Sequence, residues 1–139
     1  MADPSANVWK GLQVSLMRKV IKIWGRELKL NIDMDCIDDE VVTPVQEKTL
    51  KDFLAEKTIL DNALPKVKEY CLNEDELKDK DSIDNIFKYV VPKTIFVPRE
   101  DKKKTVDVLC DYYFDNEHGI AIVFENGRFK RITSQDEVL

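Results

Sequence analysis

The run Ile120-Ala121-Ile122-Val123-Phe124-Glu125-Asn126-Gly127-Arg128-Phe129-Lys130-Arg131-Ile132 decides the fold class. Residues 120 to 124 are apolar at odd and even positions alike, the pattern of a strand flanked and covered on both sides. Asn126-Gly127 follows at once. A two-residue hairpin turn needs positive φ at both positions, and Asn-Gly adopts it readily. Arg128 to Ile132 is then the returning strand. Upstream, Val106, Val108, Cys110, Tyr112 and Phe114 fall on one side of an alternating segment. Asp115-Asn116-Glu117-His118-Gly119 is a polar turn joining that segment to the apolar run. Thr94 to Val97, bounded by Pro98, supplies a further strand before the charged loop Arg99 to Lys104. The C-terminal part is therefore expected to be an antiparallel β-meander.

The N-terminal half carries the other signals. Leu28, Leu30, Ile32, Met34 and Cys36 alternate with Lys29, Asn31, Asp33 and Asp35. Period two over nine residues is a half-buried strand. Val20 to Trp24 precedes it across Gly25-Arg26-Glu27, which predicts an N-terminal β-hairpin, with Leu12 to Met17 extending its first strand or forming another. Asp38-Asp39-Glu40 closes the second strand. Thr43-Pro44-Val45-Gln46 is a helix start: a Thr cap, Pro at the first helical position and Gln three residues after the cap. Leu50, Phe53 and Leu54 form its buried stripe. Ile59, Leu60, Ala63, Leu64, Val67, Tyr70 and Cys71 recur at three and four residues, a second helix that Pro65 should kink or restart. Asn73 to Asp81 reads as a charged, solvated linker. Ser82 is expected to cap a short third helix with Ile83, Ile86, Phe87 and Val90 inward, ended by Pro92. The sum is an α+β fold: an N-terminal β-hairpin, two or three helices, and a C-terminal antiparallel β-meander, with the helices packed on one sheet face. Residues 1–11 read as a flexible leader and 12–139 as a single domain.

Composition limits the function. The chain has 139 residues, 27 acidic and 22 basic, for a net charge of −5 and a pI near 5.0. Phosphate-gripping domains are usually basic, so nucleic acid is not the expected partner. Lys102-Lys103-Lys104 lacks interleaved aromatics and reads as a solvated loop. An acidic surface favours a basic protein partner. The N-terminus lacks a basic start followed by an apolar run, and no apolar run reaches the roughly 20 residues that cross a bilayer. The expectation is a cytoplasmic protein without a membrane partner; its oligomeric state is open. Cys36, Cys71 and Cys110 form no C-x-x-C pair and are expected to be reduced packing residues.

One polar constellation could carry chemistry: Asp111, Asp115, Glu117 and His118, closed by Gly119. Carboxylates gathered with a histidine suit a hard metal ion, and His118 could act as a general base. Alternation points Asp111 outward, however, and Asp and Gly serve polar turns for conformational reasons alone. A Cys110–His118 dyad would need both groups in one cleft. There is no Gly-rich phosphate loop, G-x-S-x-G or H-E-x-x-H motif. Tyr112 and Tyr113 must split across their strand, one to the core and one outward. Glu74, Asp75 and Glu76 in the acidic linker form a candidate strip for a cationic partner.

The segment Cys110 to Phe124, with Ser134-Gln135-Asp136 near the end, resembles a bacterial family of small uncharacterised proteins. Its members carry a D-P-E-H-G-I-A-type turn and a C-terminal Q-D. Trp24-Gly25, Gln46 and the Phe53 helix are similar to that family too, so the resemblance covers nearly the whole chain. Asn116 stands where the family often has Pro, which makes the turn less rigid. The resemblance implies no activity and no cofactor. It associates the chain with toxin and immunity neighbourhoods. The expected function is that of a non-enzymatic bacterial binding protein, immunity-type or accessory, acting through protein–protein contacts. The alternative is a small metal-dependent or Cys/His hydrolase using Asp115, Glu117 and His118.

Overall fold

The computed structural model describes residues 17–36, 41–99 and 102–139. The leader expected over 1–11 and the closing turn at Asp38 to Glu40 lie outside the described residues. The chain order is β1 (Met17–Ile23), β2 (Arg26–Met34), α1 (Pro44–Ala55), α2 (Ile59–Leu72), β3 (Val90–Val97), β4 (Thr105–Tyr112), β5 (Ile120–Glu125) and β6 (Arg128–Ser134). Short 3₁₀ turns occupy Asp75–Leu77, Ile86–Lys88 and Gln135–Glu137. The six strands form one sheet in sequence order. Every pairing is antiparallel except β2 with β3. That one is parallel because α1 and α2 both lie in the crossover between them. The α+β class, the N-terminal hairpin and the C-terminal meander are as expected, and the parallel pair joins them into one sheet.

Both two-residue turns follow from residue chemistry. Asn126 and Gly127 take φ values of 53° and 76°. At the first hairpin the turn is Trp24-Gly25, with φ 52° and 82°. It sits earlier than the expected Gly25-Arg26-Glu27, and Arg26 and Glu27 belong to β2. A bulky residue at positive φ is costly. Trp24 is held there by its indole N–H, which donates to the Leu60 carbonyl at 2.9 Å, and by its backbone N–H, which donates to Asp61 at 3.3 Å.

Helix α1 begins as its sequence requires. The Thr43 hydroxyl accepts from the Gln46 N–H at 3.0 Å, and Gln46 Oε1 accepts from the Thr43 N–H at 2.9 Å. Gln46 then does something that spacing does not reveal. It is buried, and its Nε2 donates to the carbonyls of Asp35 and Val97 at 3.0 and 3.1 Å. One side chain thus closes the helix cap and ties the ends of β2 and β3 to it. Helix α2 runs unbroken through Pro65.

The expected third helix is a single 3₁₀ turn, Ile86–Lys88, capped by Asn85 rather than Ser82. Pro92 does not end it but lies inside β3. The strand tolerates a residue without an N–H there because the register shifts between Pro92 and Thr94. Ile83, Ile86 and Val90 are buried all the same. The Asn73 to Asp81 segment is not simply a solvated linker. Leu77 is buried, and Glu74 accepts the Tyr112 hydroxyl at 2.8 Å.

The helices cover one sheet face. Phe53 meets Phe124 edge-on at 5.2 Å, and Ala63, Val67 and Cys71 face the same core. The opposite face is apolar too. Phe96, Leu109, Ala121 and Val123 form a second buried cluster, against which Val138 packs. Among them sits Asp107, 2% exposed, with no hydrogen-bond partner for Oδ1 among the described residues. Cross-strand register lines it up between Phe96 and Val123, with Arg131 one strand further on. The two-faced burial of β5 matches its unbroken apolar run.

Candidate functional site

The end of β4, the turn after it and the C-terminal 3₁₀ turn converge. β4 ends at Tyr112. The Asp115 N–H then donates to the Tyr112 carbonyl at 3.1 Å and the Gly119 N–H to the Asp115 carbonyl at 2.9 Å. Asp115 Oδ1 accepts from the His118 N–H at 3.1 Å, the self-bracing that favours Asp in turns. Gly119 has a φ of +66°. A Cβ there would run into Gln135 Nε2 and lie 2.6 Å from the Cys110 carbonyl. Gln135 Nε2 donates to that carbonyl at 3.0 Å. Ser134 caps the last turn by accepting from the Asp136 N–H.

His118 sits between two carboxylates, with Nδ1 3.1 Å from Asp115 Oδ1 and Nε2 3.6 Å from Asp136 Oδ2. The hydrogen bond that the imidazole donates to Asp115 raises its pKa above the ordinary value, and the charges of Asp115 and Asp136 add to this. Asp115 is held below the usual carboxylate range, chiefly by the His118 backbone N–H. The two separated segments of the sequence resemblance, Cys110 to Phe124 and Ser134-Gln135-Asp136, are therefore one clasp.

The other expected site residues are placed differently. Asp111 is exposed on β4 and faces Lys93 at 3.8 Å. Glu117 is exposed in the turn. Cys110 is fully buried, its Sγ 3.6 Å from the Val108 carbonyl, and burial drives its thiol pKa far up. It has no route to the exposed His118 imidazole and no tendency to form a thiolate. Cys71 is also buried and pushed up to about 11 by desolvation. Cys71 and Cys110 are free thiols. Among the described residues no group of three or more His, Cys, Asp or Glu side chains could hold a metal ion, and no helix is long and apolar enough to cross a membrane.

Beside the clasp lies an aromatic cluster. Tyr112 is buried and Tyr113 is 56% exposed, split inward and outward as expected, although Tyr113 lies just past the end of β4. Phe114 was expected on the inner face of β4; it lies in the turn past the strand end. There it stacks on Tyr89 at 5.5 Å with an interplanar angle of 11°. Tyr113 meets Phe114 and Tyr89 edge-on at 5.1 and 6.0 Å. The Tyr113 N–H donates to the Tyr89 carbonyl at 2.8 Å. Tyr112 touches Tyr70 at 5.7 Å, and burial and Glu74 raise its hydroxyl pKa. Of the candidate partner strip, Glu74 is committed to Tyr112, while Asp75 and Glu76 are exposed. Tyr89, Gln135 and Asp136 as neighbours of the turn had no signal in spacing; only the paired motifs of the resemblance linked the last two to it.

Fold and site together define a single-sheet α+β domain whose signature segments close a clasp next to an exposed, ring-supported tyrosine. The chain belongs to the family described as domain of unknown function DUF6985, whose model matches residues 5–139. Neither the curated proteins nor the solved structures contain a match.

Proposed function

We propose that this domain is a non-enzymatic binding protein that docks a cationic segment of a protein partner on the Tyr113 surface. The supporting observation is Tyr113 itself. It is 56% exposed, yet Phe114, Tyr89 and a backbone hydrogen bond hold it in place. A large aromatic side chain already fixed in position loses little entropy on binding, and such tyrosines are frequent interface anchors. Its neighbours in sequence are acidic: Asp111 near the end of β4, then Asp115 and Glu117 in the turn. Lysine or arginine side chains suit that combination of ring and carboxylate. Asp75 and Glu76 add peripheral negative charge. An immunity-type or accessory role, in which the domain occupies a basic surface of another protein, is the finer form of this reading.

Recovery of a partner by crosslinking in the native cell tests it. The wild-type chain should capture a protein with a basic contact segment, and the Tyr113→Ser, Glu117→Gln variant should lose it while still unfolding cooperatively. Equal capture by both would refute the reading.

A further inference from the structure

We infer that the open edge of β1 takes up an extended acidic segment of another protein as an added strand of the sheet. β1 stands at the edge and, among the described residues, pairs with β2 alone. The turn between them has two residues, so the flanking pair Ile23 and Arg26 exchanges both ladder hydrogen bonds. Counting back in twos, Ile21, Lys19 and Met17 bond to β2 as well. Arg18, Val20 and Lys22 then direct their backbone N–H and C=O into the open edge. The register of this pair has no shift. At the other edge the β5–β6 ladder is interrupted between Val123 and Phe124. β1 is therefore the regular template for strand addition, in which main-chain hydrogen bonds supply the affinity.

Side chains select the occupant. β1 carries Arg18, Lys19 and Lys22 and no acid. All three are exposed, and none enters an ion pair among the described residues, not even Lys22 with Glu27 across from it. β6 carries Arg128, Lys130 and Arg131 and no acid either. Both edges of the sheet are thus cationic on a chain of net charge −5. A second copy would bring one cationic edge against another, the arrangement by which lysines keep like strands apart. The same charges attract an acidic strand. The two faces of β1 also differ. Arg18, Val20 and Lys22 share the face away from the helices, and Val20 is 58% exposed between the two charges. Ile21 lies on the helix side, where it lines a cleft of about 400 Å³ with Phe53, Leu54 and Leu60. An added strand that alternates acidic with apolar residues sets its carboxylates beside Arg18 and Lys22 and its apolar side chains toward that cleft. β1 stands three strands from β4, so this edge and the Tyr113 surface act independently.

The test is a titration of the full chain with a capped synthetic peptide that alternates glutamate with valine and matches β1 in length. Nuclear magnetic resonance and amide hydrogen exchange follow it residue by residue. The expected result is saturable shifts over residues 17–23, with slowed exchange at the outward amides of Arg18, Val20 and Lys22. The same peptide with lysine for glutamate should not bind. The Arg18→Gln, Lys22→Gln variant should bind the acidic peptide about tenfold more weakly. Val20→Pro removes an outward N–H and no bond to β2, a place where an edge strand accepts proline, and it should abolish binding. If Val20→Pro fails to fold, the wild-type exchange rates and the affinity of the double variant still decide. Absent or non-saturable shifts, shifts without slowed exchange at the outward amides, binding of the lysine peptide, or undiminished affinity in either variant would overturn the proposal. So would slowed exchange that depends on protein concentration rather than on peptide, which would place a second copy on the edge.

Discussion

Gln135 donates through Nε2 to the carbonyl oxygen of Cys110 at 3.0 Å, fastening the C-terminal 3₁₀ turn to the last inward residue but one of β4. Gly119 lies against both partners of that bond. The turn and the C-terminal segment are therefore one structural unit.

Gly119→Ala should destabilise the protein by on the order of 2 kcal/mol. An alanine at positive φ costs about 1 kcal/mol, displacing Gln135 costs its hydrogen bond, roughly another, and the Cys110 carbonyl, 2.6 Å from the new Cβ, adds to both. Denaturant unfolding measures the sum. The second contribution is separable. In a Gln135→Ala background the same glycine substitution should cost less, because the obstructing amide is gone. Strict additivity would show that the two residues do not meet.

His118 should make stability fall as pH rises above the ordinary imidazole value. Its folded pKa lies above the ordinary 6.5, so the folded state holds the proton more tightly. The contribution is full below 6.5 and is lost as pH rises through the folded value. Asp115 works in the opposite sense: its folded pKa lies below 3.8, so its contribution is present above that value and lost as pH falls. The clasp is strongest between these limits. Thermal melts of His118→Asn should lack the decline that the wild type shows above pH 6.5; parallel curves would rule out the latch.

Asp107 should contribute a second decline in a lower window. Burial raises its pKa from 3.8 to about 6, against the opposing pull of Arg131. Between those values the folded state binds a proton that the unfolded state does not, so stability falls as pH rises from 3.8 to 6. The loss is on the order of 2–3 kcal/mol at most. Asp107→Asn should remove this dependence and raise the melting temperature at pH 8 relative to wild type. A wild-type profile flat from pH 4 to 6 would contradict it.

Elements governed by local chemistry were legible in the sequence. The Asn126-Gly127 turn, the Thr43–Gln46 cap and the alternation of β2 each depend on residues within a few positions of one another. What failed depended on distant partners. Pro92 reads as a stop unless a register shift in β3 makes room for it. Glu74 reads as solvated charge until Tyr112, 38 residues on, is found to donate to it. The burial of Gln46 beneath two carbonyls, and of Asp107 on the far sheet face, leaves no mark in periodicity. At the site, the turn could be read as a turn, but its closure by Gln135 and Asp136 required the sheet to bring β4, β5 and the C-terminus together.

In the proposed function Tyr113 anchors a cationic partner while the clasp behind it is structural. Once crosslinking has identified the partner, its affinity for Tyr113→Ser decides the matter most directly, measured alongside the thermal melt of the same variant. Tyr113→Ser should lose about 2 kcal/mol or more in binding, as for an anchor residue, while its melt falls only slightly, because Tyr113 is 56% exposed. Wild-type affinity in Tyr113→Ser would contradict it.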